Sequence, residues 1–458
     1  MSGIDGVALD ELTVAELVAL AGNDERLAAF ERAGEHCGWC AEPVRLASTT
    51  KSVDPATGEL TESHGTYYKA CGTRRKTRCP ACAERYRRDA RSIVLSGLQG
   101  GKGVSEEVAD APAILATLTA PSFGAVHRVR HHNERAVACR PGTGKTCVHG
   151  RSICCNEIHG ERDGLVGQAL CPDCYDYERS VVWNALAPEL WRRTTIYLRR
   201  NLARAAGLSE TAFRACCRLS FVKVAEYQRR GVVHLHVVAR LDALEGHELP
   251  EALDVVALMT GFAAAARAVA VAHPGSLEDK ARFGDQLDVK ALVQGLERRA
   301  GGVAGYLAKY SIKSSDDNGA LDRRLRSLDE LRRKNLNDHL RRPAETAWRL
   351  AKRPELATLG VRRFAHALGF RGHWLTKSRA WSTTFAALRA ERAAWRNARD
   401  EVEDSTTVTL ERFWQFQSRG WNDAGESLLA ASRERDQATA RRERLLELTT
   451  IRRGEVAA

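Results

Sequence analysis

Two histidines spaced two residues apart are the first candidates for chemistry. His234 and His236 lie in VVHLHVVARL (232–241), whose alternation is typical of a β-strand, so both imidazoles would point to the same face. Glu226 lies eight residues before His234 in another strand pattern (218–228), and a turn near residue 230 would place its carboxylate opposite His234. Two imidazoles and one carboxylate suit Mg²⁺ or Mn²⁺, with positions left for phosphate oxygens. The alternative is a solvated strand face that happens to carry two histidines.

Two tyrosines in the segment GYLAKYSIK (305–313) are the second candidates. The spacing predicts a helix on which Tyr306 and Tyr310 are neighbours on one face, with Lys309 and Lys313 as a second pair beside them. A phenol is a weak nucleophile until a nearby cation or base lowers its effective pKa, and a metal ion on a scissile phosphate would do this. Paired tyrosines would permit two successive attacks. The alternative is an amphipathic helix whose aromatic side chains pack inward.

Thirteen cysteines occur in clusters, several of them as C-x-x-C pairs. In a reducing compartment this pattern is typical of metal binding rather than of disulfides. Two pairs near the N-terminus predict a four-thiolate zinc site with a long intervening loop, in which Cys71 could replace one member. The second group is centred on the pair Cys171 and Cys174, and its partners come from a set that includes Cys139, Cys147, Cys154, Cys155 and His159. The expected ligands of structural zinc are Cys37, Cys40, Cys79, Cys82, Cys147, Cys155, Cys171 and Cys174. The alternative for either group is buried free thiols.

The elements that must position these residues follow from hydrophobic periodicity. Residues 113–120, AILATLTA, form a short apolar run that ends at Pro121, which is typical of a buried strand. The segments 218–228 and 232–241 predict a hairpin, because a short basic turn with a glycine separates them. We expect an α+β fold in which these three strands belong to an antiparallel sheet backed by helices.

Composition divides the chain into four expected segments. These are an N-terminal helical arm (1–35), a cysteine-rich zinc-binding segment with a basic helix (36–110), a core (111–320) with a cysteine-rich insertion at 139–177, and a basic, mostly helical C-terminal region (321–458).

Net charge favours a polyanionic partner. The 458 residues carry a formal charge of +12, with a pI of about 9.2. No apolar run approaches the length that spans a bilayer, and the N-terminus lacks the pattern of a secretory signal. We therefore expect a cytoplasmic protein whose partner is nucleic acid and not a membrane.

The strand pair and the Y-x-x-K-Y helix resemble the HUH endonuclease superfamily. The resemblance extends to actinobacterial plasmid and integrative-element replication initiators and covers about residues 37 to 395. The segments that carry it are TLTAPSFG (117–124), VAEYQRRGVVHLHVVARLD (224–242), GYLAKYSIK (305–313) and RGHWLTKSRAWSTTF (371–385), together with RCPACAERYRRDA (78–90) and LCPDCYDY (170–177).

Such a resemblance implies rolling-circle replication. The protein would nick one strand at an origin, remain on the 5′ phosphate through tyrosine, and later release the displaced strand by a second transfer. His234 and His236 match the HUH motif, and Glu226 matches the acidic metal ligand of that family. Tyr306 and Tyr310 match the paired tyrosines of some initiators, whereas related plasmid initiators use only one. Lys309 matches the motif lysine. The implied cofactor is Mg²⁺ or Mn²⁺, and the implied partners are single-stranded origin DNA, a host helicase and a polymerase.

Basic residues near these motifs are candidate DNA contacts. They are Arg229, Arg230, Lys313, Arg371, Lys377 and Arg379. Charge runs are more often solvated helix faces, and Trp374 and Trp381 could either stack on unpaired bases or pack in a core. Two other functions stay open: a transposase or relaxase with the same chemistry, and a non-enzymatic, zinc-stapled DNA-binding regulator that would keep its function after His236→Ala.

Overall fold

The computed structural model describes residues 10–276, 278–292, 297–316, 323–333, 336–400 and 408–454. The helices in these ranges are α1 (Glu11–Ala21), α2 (Asp24–Cys37), α3 (Pro80–Gln99), α4 (Tyr177–Ala205), α5 (Glu210–Cys216), α6 (Val255–Ala268), α7 (Glu297–Asp316), α8 (Leu328–Arg332), α9 (Asp338–Leu350), α10 (Phe385–Asp400) and α11 (Ala424–Gly454). The strands are β1 (Val44–Val53), β2 (Leu60–Lys69), β3 (Ala113–Leu118), β4 (Arg130–His132), β5 (Arg135–Val137), β6 (Cys217–Tyr227), β7 (Val233–Ala243), β8 (Val271–Ala272), β9 (Lys280–Ala281), β10 (Leu287–Ala291), β11 (Leu375–Lys377) and β12 (Val408–Arg419).

The chain divides into two compact units. The terminal unit combines Met1–Asp89 with Ala386–Ala458, and the central unit is Ala90–Phe385. The boundaries of these two units differ from those of the four segments expected from composition. The four-segment division remains a prediction.

The central unit is organised by an antiparallel sheet. Within the described ranges, five strands lie in the order β10-β3-β7-β6-β11. Alternate residues of β7, such as Val233, Leu235 and Val237, are buried in the main hydrophobic core together with residues of α4 and α6. The intervening residues of β7 lie on the other face, and α7 packs against β6. The sheet therefore separates an apolar core from a face that carries polar side chains.

Two capping interactions fix the starts of the core helices. Asp176 accepts a hydrogen bond from the backbone N–H of Arg179 and begins α4, and Asp254 accepts one from Ala257 and begins α6. A carboxylate at this position satisfies an otherwise unpaired N–H and favours the positive end of the helix dipole.

The terminal unit is built on a different antiparallel sheet. Its described strands have the order β12-β1-β2, so a strand from the C-terminal region pairs with one that precedes the central unit. Arg26 of α2 forms ion pairs with Asp423 and Glu426 at the start of α11. Phe30 packs on Trp421 with ring centroids 5.0 Å apart.

The expected core strands are confirmed as neighbours in one sheet, in the order β3-β7-β6. The C-terminal region contains helices as expected, but it also supplies β11 and β12, and the segment 36–110 supplies β1 and β2. Among the helices of the described ranges, none is long and apolar enough to cross a membrane.

Candidate active site and metal-ligand groups

The β6–β7 hairpin places Glu226 directly opposite His234. Its register also pairs Val224 with His236, so the carboxylate and both imidazoles lie on one face, as the sequence predicted. The turn closes with a hydrogen bond from Gln228 N–H to Val232 O of 2.9 Å, and Gly231 adopts a φ of +80°, which favours glycine.

A buried asparagine of α4 forms hydrogen bonds with the backbone of this turn. Asn184 accepts a hydrogen bond from the backbone N–H of Val233 at 3.0 Å and donates to the carbonyl of Gly231 at 2.9 Å. The same amide donates to Leu368 O at 2.9 Å. Because Asn184 is 1% exposed, its bonds form away from water and orient the strand that carries the histidines.

Both histidines have fixed polar neighbours. His236 Nε2 lies 3.1 Å from Glu226 Oε2, and its Nδ1 lies 3.4 Å from the hydroxyl of Thr117. His234 Nδ1 lies 3.3 Å from the hydroxyl of Thr119 and 3.2 Å from the amide of Gln228. These contacts set the ring orientations and bring imidazole and carboxylate donors together on the sheet.

The predicted tyrosines of α7 lie against this pair of histidines. Tyr310 stacks on His236 with ring centroids 4.5 Å apart, and Tyr306 meets the same imidazole edge-on at 5.3 Å. The two phenol rings are 4.5 Å apart. Tyr306 is 39% exposed, whereas Leu307 and Ala308 on the inner side of the helix are buried. The amphipathic helix thus presents both tyrosines to His236, while apolar side chains on its inner side are buried.

Burial dominates the electrostatics of the site. It lowers the pKa of His234 to about 3, with smaller contributions from His236 and Arg230, so this imidazole is neutral at physiological pH. Burial, followed by the neighbouring Tyr310, raises the pKa of Tyr306 above the ordinary value of a phenol. A neutral imidazole is the form that binds a metal, and a protonated phenol needs a cation or base before it attacks.

A basic cavity of about 640 Å³ lies beside the hairpin turn. Gln228 and Arg230 line one part of it, and neighbouring segments of the chain supply further cations. These are Arg128, Arg140, Arg179, Lys280 and Arg282. The concentration of guanidinium groups suits a phosphate-bearing ligand.

The candidate DNA contacts occupy varied environments. Arg230 donates to the carbonyls of Pro121 and Ala120 at 2.7 and 2.8 Å, and Arg229 donates to Asp163 O at 2.7 Å. These bonds brace the turn. Lys309 is exposed on α7, while the side chain of Lys313 lies outside the described residues.

Near β11 the candidate contacts are more open. Arg371 and Arg379 are exposed, and Lys377 is half-buried. Trp381 is fully buried and donates to Ile93 O at 3.0 Å, which identifies it as a core aromatic. Trp374 packs on Tyr227 with centroids 5.0 Å apart.

The first cysteine group differs from the expected set at one position. In the described chain, the sulfur atoms of Cys40, Cys71, Cys79 and Cys82 all lie within 4.8 Å of one another. Cys37 is the last residue of α2 and lies outside this group, because its thiol points back to Gly34 O at 3.6 Å. Cys71 therefore takes the place expected for Cys37.

The second cysteine group is really two groups of mixed ligands. Cys171 and Cys174 gather with Cys147, as expected, but the fourth position is His149. Cys155 instead lies with Cys139, His127 and His159. Residues that are close in sequence, such as Cys147 and Cys155, are therefore divided between two groups.

The sequence analysis missed several polar neighbours. Thr117 lies on β3 and Thr119 follows directly after it; their hydroxyls contact His236 and His234. Gln228, which contacts His234, precedes the turn. A signal was present in the alternation of T-L-T, because residues two apart on a strand share a face. His127 and His149 were missed since they stand outside any C-x-x-C pair.

The fold and these sites define a mixed α/β protein with antiparallel sheets and cysteine and histidine groups that could hold metal ions. Over residues 26–435, the chain matches the family model described as replication initiator protein, pSAM2 (RepSA). The chain therefore belongs to this family of replication initiator proteins.

A curated relative from Streptomyces ambofaciens, named "Replication initiator protein", is similar over almost the whole chain. It is 37% identical over 449 residues, which cover 93% of each chain. No solved structure matches the chain.

Proposed function

We propose that this protein initiates rolling-circle replication of a plasmid or integrative element by cutting one DNA strand through tyrosine attack. The observation that carries the proposal is the position of His236, which lies between the Glu226 carboxylate and the phenol rings of Tyr306 and Tyr310. Paired nucleophiles beside a metal-type donor set suit phosphodiester transfer in the HUH manner.

In the proposed cleavage step, the phenol oxygen of one tyrosine forms a bond to phosphorus. The bond from phosphorus to the 3′ oxygen breaks, and that oxygen leaves with the bonding electrons and gains the proton that the phenol gives up. The products are a 5′-phosphotyrosine link and a free 3′ hydroxyl. Because the link conserves the phosphodiester energy, the second transfer can rejoin the displaced strand without a nucleotide cofactor.

His234, His236 and Glu226 would hold a divalent cation. The donor set fits, because two imidazoles and a carboxylate lie together on one sheet face and burial keeps His234 neutral. Magnesium or manganese bound there would polarise the phosphate and stabilise charge on the leaving oxygen. Thr117, Thr119 and Gln228 would keep the imidazoles in their orientation.

The basic cavity and exposed cations would hold the DNA strand. Arg230 contributes to the cavity beside the hairpin, and Lys309 is exposed on the helix that carries both tyrosines. We also propose structural zinc at Cys40, Cys71, Cys79 and Cys82, and at the group of Cys147, His149, Cys171 and Cys174.

A denaturing gel tests the proposal directly. Full-length protein is incubated with labelled single-stranded DNA from the origin of its own element, with manganese or with EDTA. The expected result is a covalent protein–DNA band that forms only with manganese and disappears in the Tyr306→Phe, Tyr310→Phe double variant. Tyr197→Phe is the matched control, since Tyr197 on α4 is 38% exposed and lies outside the site. Tight DNA binding without any cleavage or adduct would refute the nuclease.

A further inference from the structure

We infer that His127, Cys139, Cys155 and His159 form a separate zinc site that braces the turn of the β6–β7 hairpin. The four side chains come from one looped region, and their potential ligand atoms all lie within 4.8 Å of one another. His159 Nε2 lies 3.1 Å from His127 Nδ1 and 3.3 Å from Cys155 Sγ. Tetrahedral zinc, with bonds of about 2.0–2.3 Å, spaces its ligand atoms about 3.3–3.8 Å apart, which is close to these distances.

The chemistry of the group favours zinc and a structural role. Two thiolates and two imidazoles are borderline-soft donors that suit zinc better than magnesium. Cys139, Cys155 and His159 are 0%, 8% and 3% exposed, so the four ligands would leave a closed shell without a position for substrate. The backbone N–H of Arg128 also donates to Cys139 Sγ at 3.2 Å, which helps to hold this sulfur in position.

An outer contact joins this group to the catalytic hairpin. His159 Nδ1 lies 2.5 Å from Asp163 Oδ2, the kind of carboxylate contact that orients a metal-bound imidazole. The backbone carbonyl of Asp163 then accepts a hydrogen bond from the Arg229 guanidinium at 2.7 Å. Arg229 lies in the turn between Glu226 and His234.

A second connection runs through the backbone. Gly167 N–H donates to His127 O at 2.8 Å, and His127 N–H donates to Gln168 O at 2.9 Å. Gly167 has a φ of +90°, and a Cβ placed there would lie 2.5 Å from the carbonyl carbon of Arg229. Two ligands of the group are therefore tied to the same turn by independent contacts.

The same group positions cations of the basic cavity. Arg128 and Arg140 directly follow the ligands His127 and Cys139 in sequence, and both line the cavity beside Gln228. Metal binding would thus help to position two arginines that line the same cavity as Gln228 and Arg230. The role inferred for this zinc is to position the turn and the cavity arginines. This role does not depend on the proposed strand-cutting chemistry.

Zinc analysis of purified full-length protein tests the inference, with elemental and native mass measurement. We expect the Cys139→Ser and Cys155→Ser variants each to hold one zinc fewer than the wild type. Cys154→Ser is the matched control, because Cys154 is adjacent to Cys155 and belongs to none of the ligand groups found in the described ranges. Equal zinc content in Cys139→Ser, Cys155→Ser and wild-type protein would overturn the site.

A readout on the wild type keeps the test decisive if a serine variant fails to fold, and a second readout tests the link to the turn. In the wild type, a chelator should expose Cys139 and Cys155 to alkylation, and alkylation that is unchanged by metal removal would contradict the inference. Amide hydrogen exchange at residues 228–232 should accelerate in Cys155→Ser but not in Cys154→Ser, whereas unchanged exchange would refute the link to the turn. Zinc content is measured without DNA cleavage, so the result can be interpreted even if the protein proves not to cut DNA.

Discussion

The ring of Tyr310 stacks on the imidazole of His236 with centroids 4.5 Å apart and 28° between the planes. Tyr306 contacts the same imidazole edge-on and is the more exposed of the two phenols. The two tyrosines are therefore not equivalent in their access to DNA.

This difference leads to a prediction for the single tyrosine variants. Tyr306→Phe should reduce the first covalent adduct by at least ~10³-fold, because a nucleophile is removed where DNA can reach it. Tyr310→Phe should retain the first adduct and lose strand rejoining. A labelled-oligonucleotide assay that separates cleavage from rejoining measures both steps, and the opposite assignment would follow if only Tyr310→Phe lost the adduct.

Removal of His236 should abolish metal-dependent cleavage. His236→Ala takes away one proposed metal donor and the contact with Glu226, so we expect cleavage to fall by at least ~100-fold. The control is His132→Ala, because His132 is an exposed histidine on β4. DNA cleavage is measured against manganese concentration for both variants. Similar rates for the two variants would contradict a metal role for His236.

The first cysteine group (Cys40, Cys71, Cys79 and Cys82) predicts different effects for substitution of two nearby thiols, Cys71 and Cys37. Cys71→Ser should remove one zinc per chain, whereas Cys37→Ser should retain the wild-type content, because Cys37 Sγ faces Gly34 O instead of the other sulfurs. Elemental analysis of the two purified variants distinguishes this arrangement from the one expected from sequence. Loss of zinc in Cys37→Ser alone would restore the original ligand set.

A methyl group at Gly167 should destabilise the protein. Gly167→Ala places a Cβ against the backbone of Arg229 at a positive φ, and we expect a cost of about 2 kcal/mol or more in the free energy of unfolding. Gly164→Ala is the matched control, because its Cβ would meet nothing within 4 Å. Urea denaturation followed by tryptophan fluorescence compares the two, and equal midpoints would argue against the close approach.

Acid should weaken the packing behind the hairpin through His339. Burial lowers the pKa of this imidazole to about 4, and its Nε2 lies 3.2 Å from Arg230 O while its Nδ1 contacts the Tyr177 hydroxyl. The unfolded chain binds the proton more readily than the folded chain. The contribution of neutral His339 to the free energy of unfolding is therefore fully present above a pH of about 6.5. It declines as the pH falls towards about 4, by at most ~3 kcal/mol.

Comparison with His339→Gln separates the contribution of His339 from that of other groups that take up protons in acid, such as the cysteine groups. Urea unfolding of both proteins is measured at pH 7.5 and pH 5. We expect the wild type to lose more stability between these values than the variant does. An equal loss in both would mean that His339 does not contribute to the pH dependence.

Much of the central site was readable from the sequence. The alternation around His234 and His236 specified a strand face, and the length of the segment back to Glu226 specified a hairpin register, because side chains on strands repeat every second residue. The spacing of Tyr306 and Tyr310 likewise specified one helix face. Local periodicity fixes such relationships before any long-range contact forms.

Only the tertiary structure decided which distant segments meet. The pairing of β1 with β12, the placement of α7 over β6, and the division of the cysteines between separate groups depend on chain paths that close long loops. A C-x-x-C pair predicts that a knuckle can bind metal, but it carries no information about which remote thiol or imidazole completes the shell. Cys71, His127 and His149 take their places because packing brings them there, and packing is a property of the whole chain.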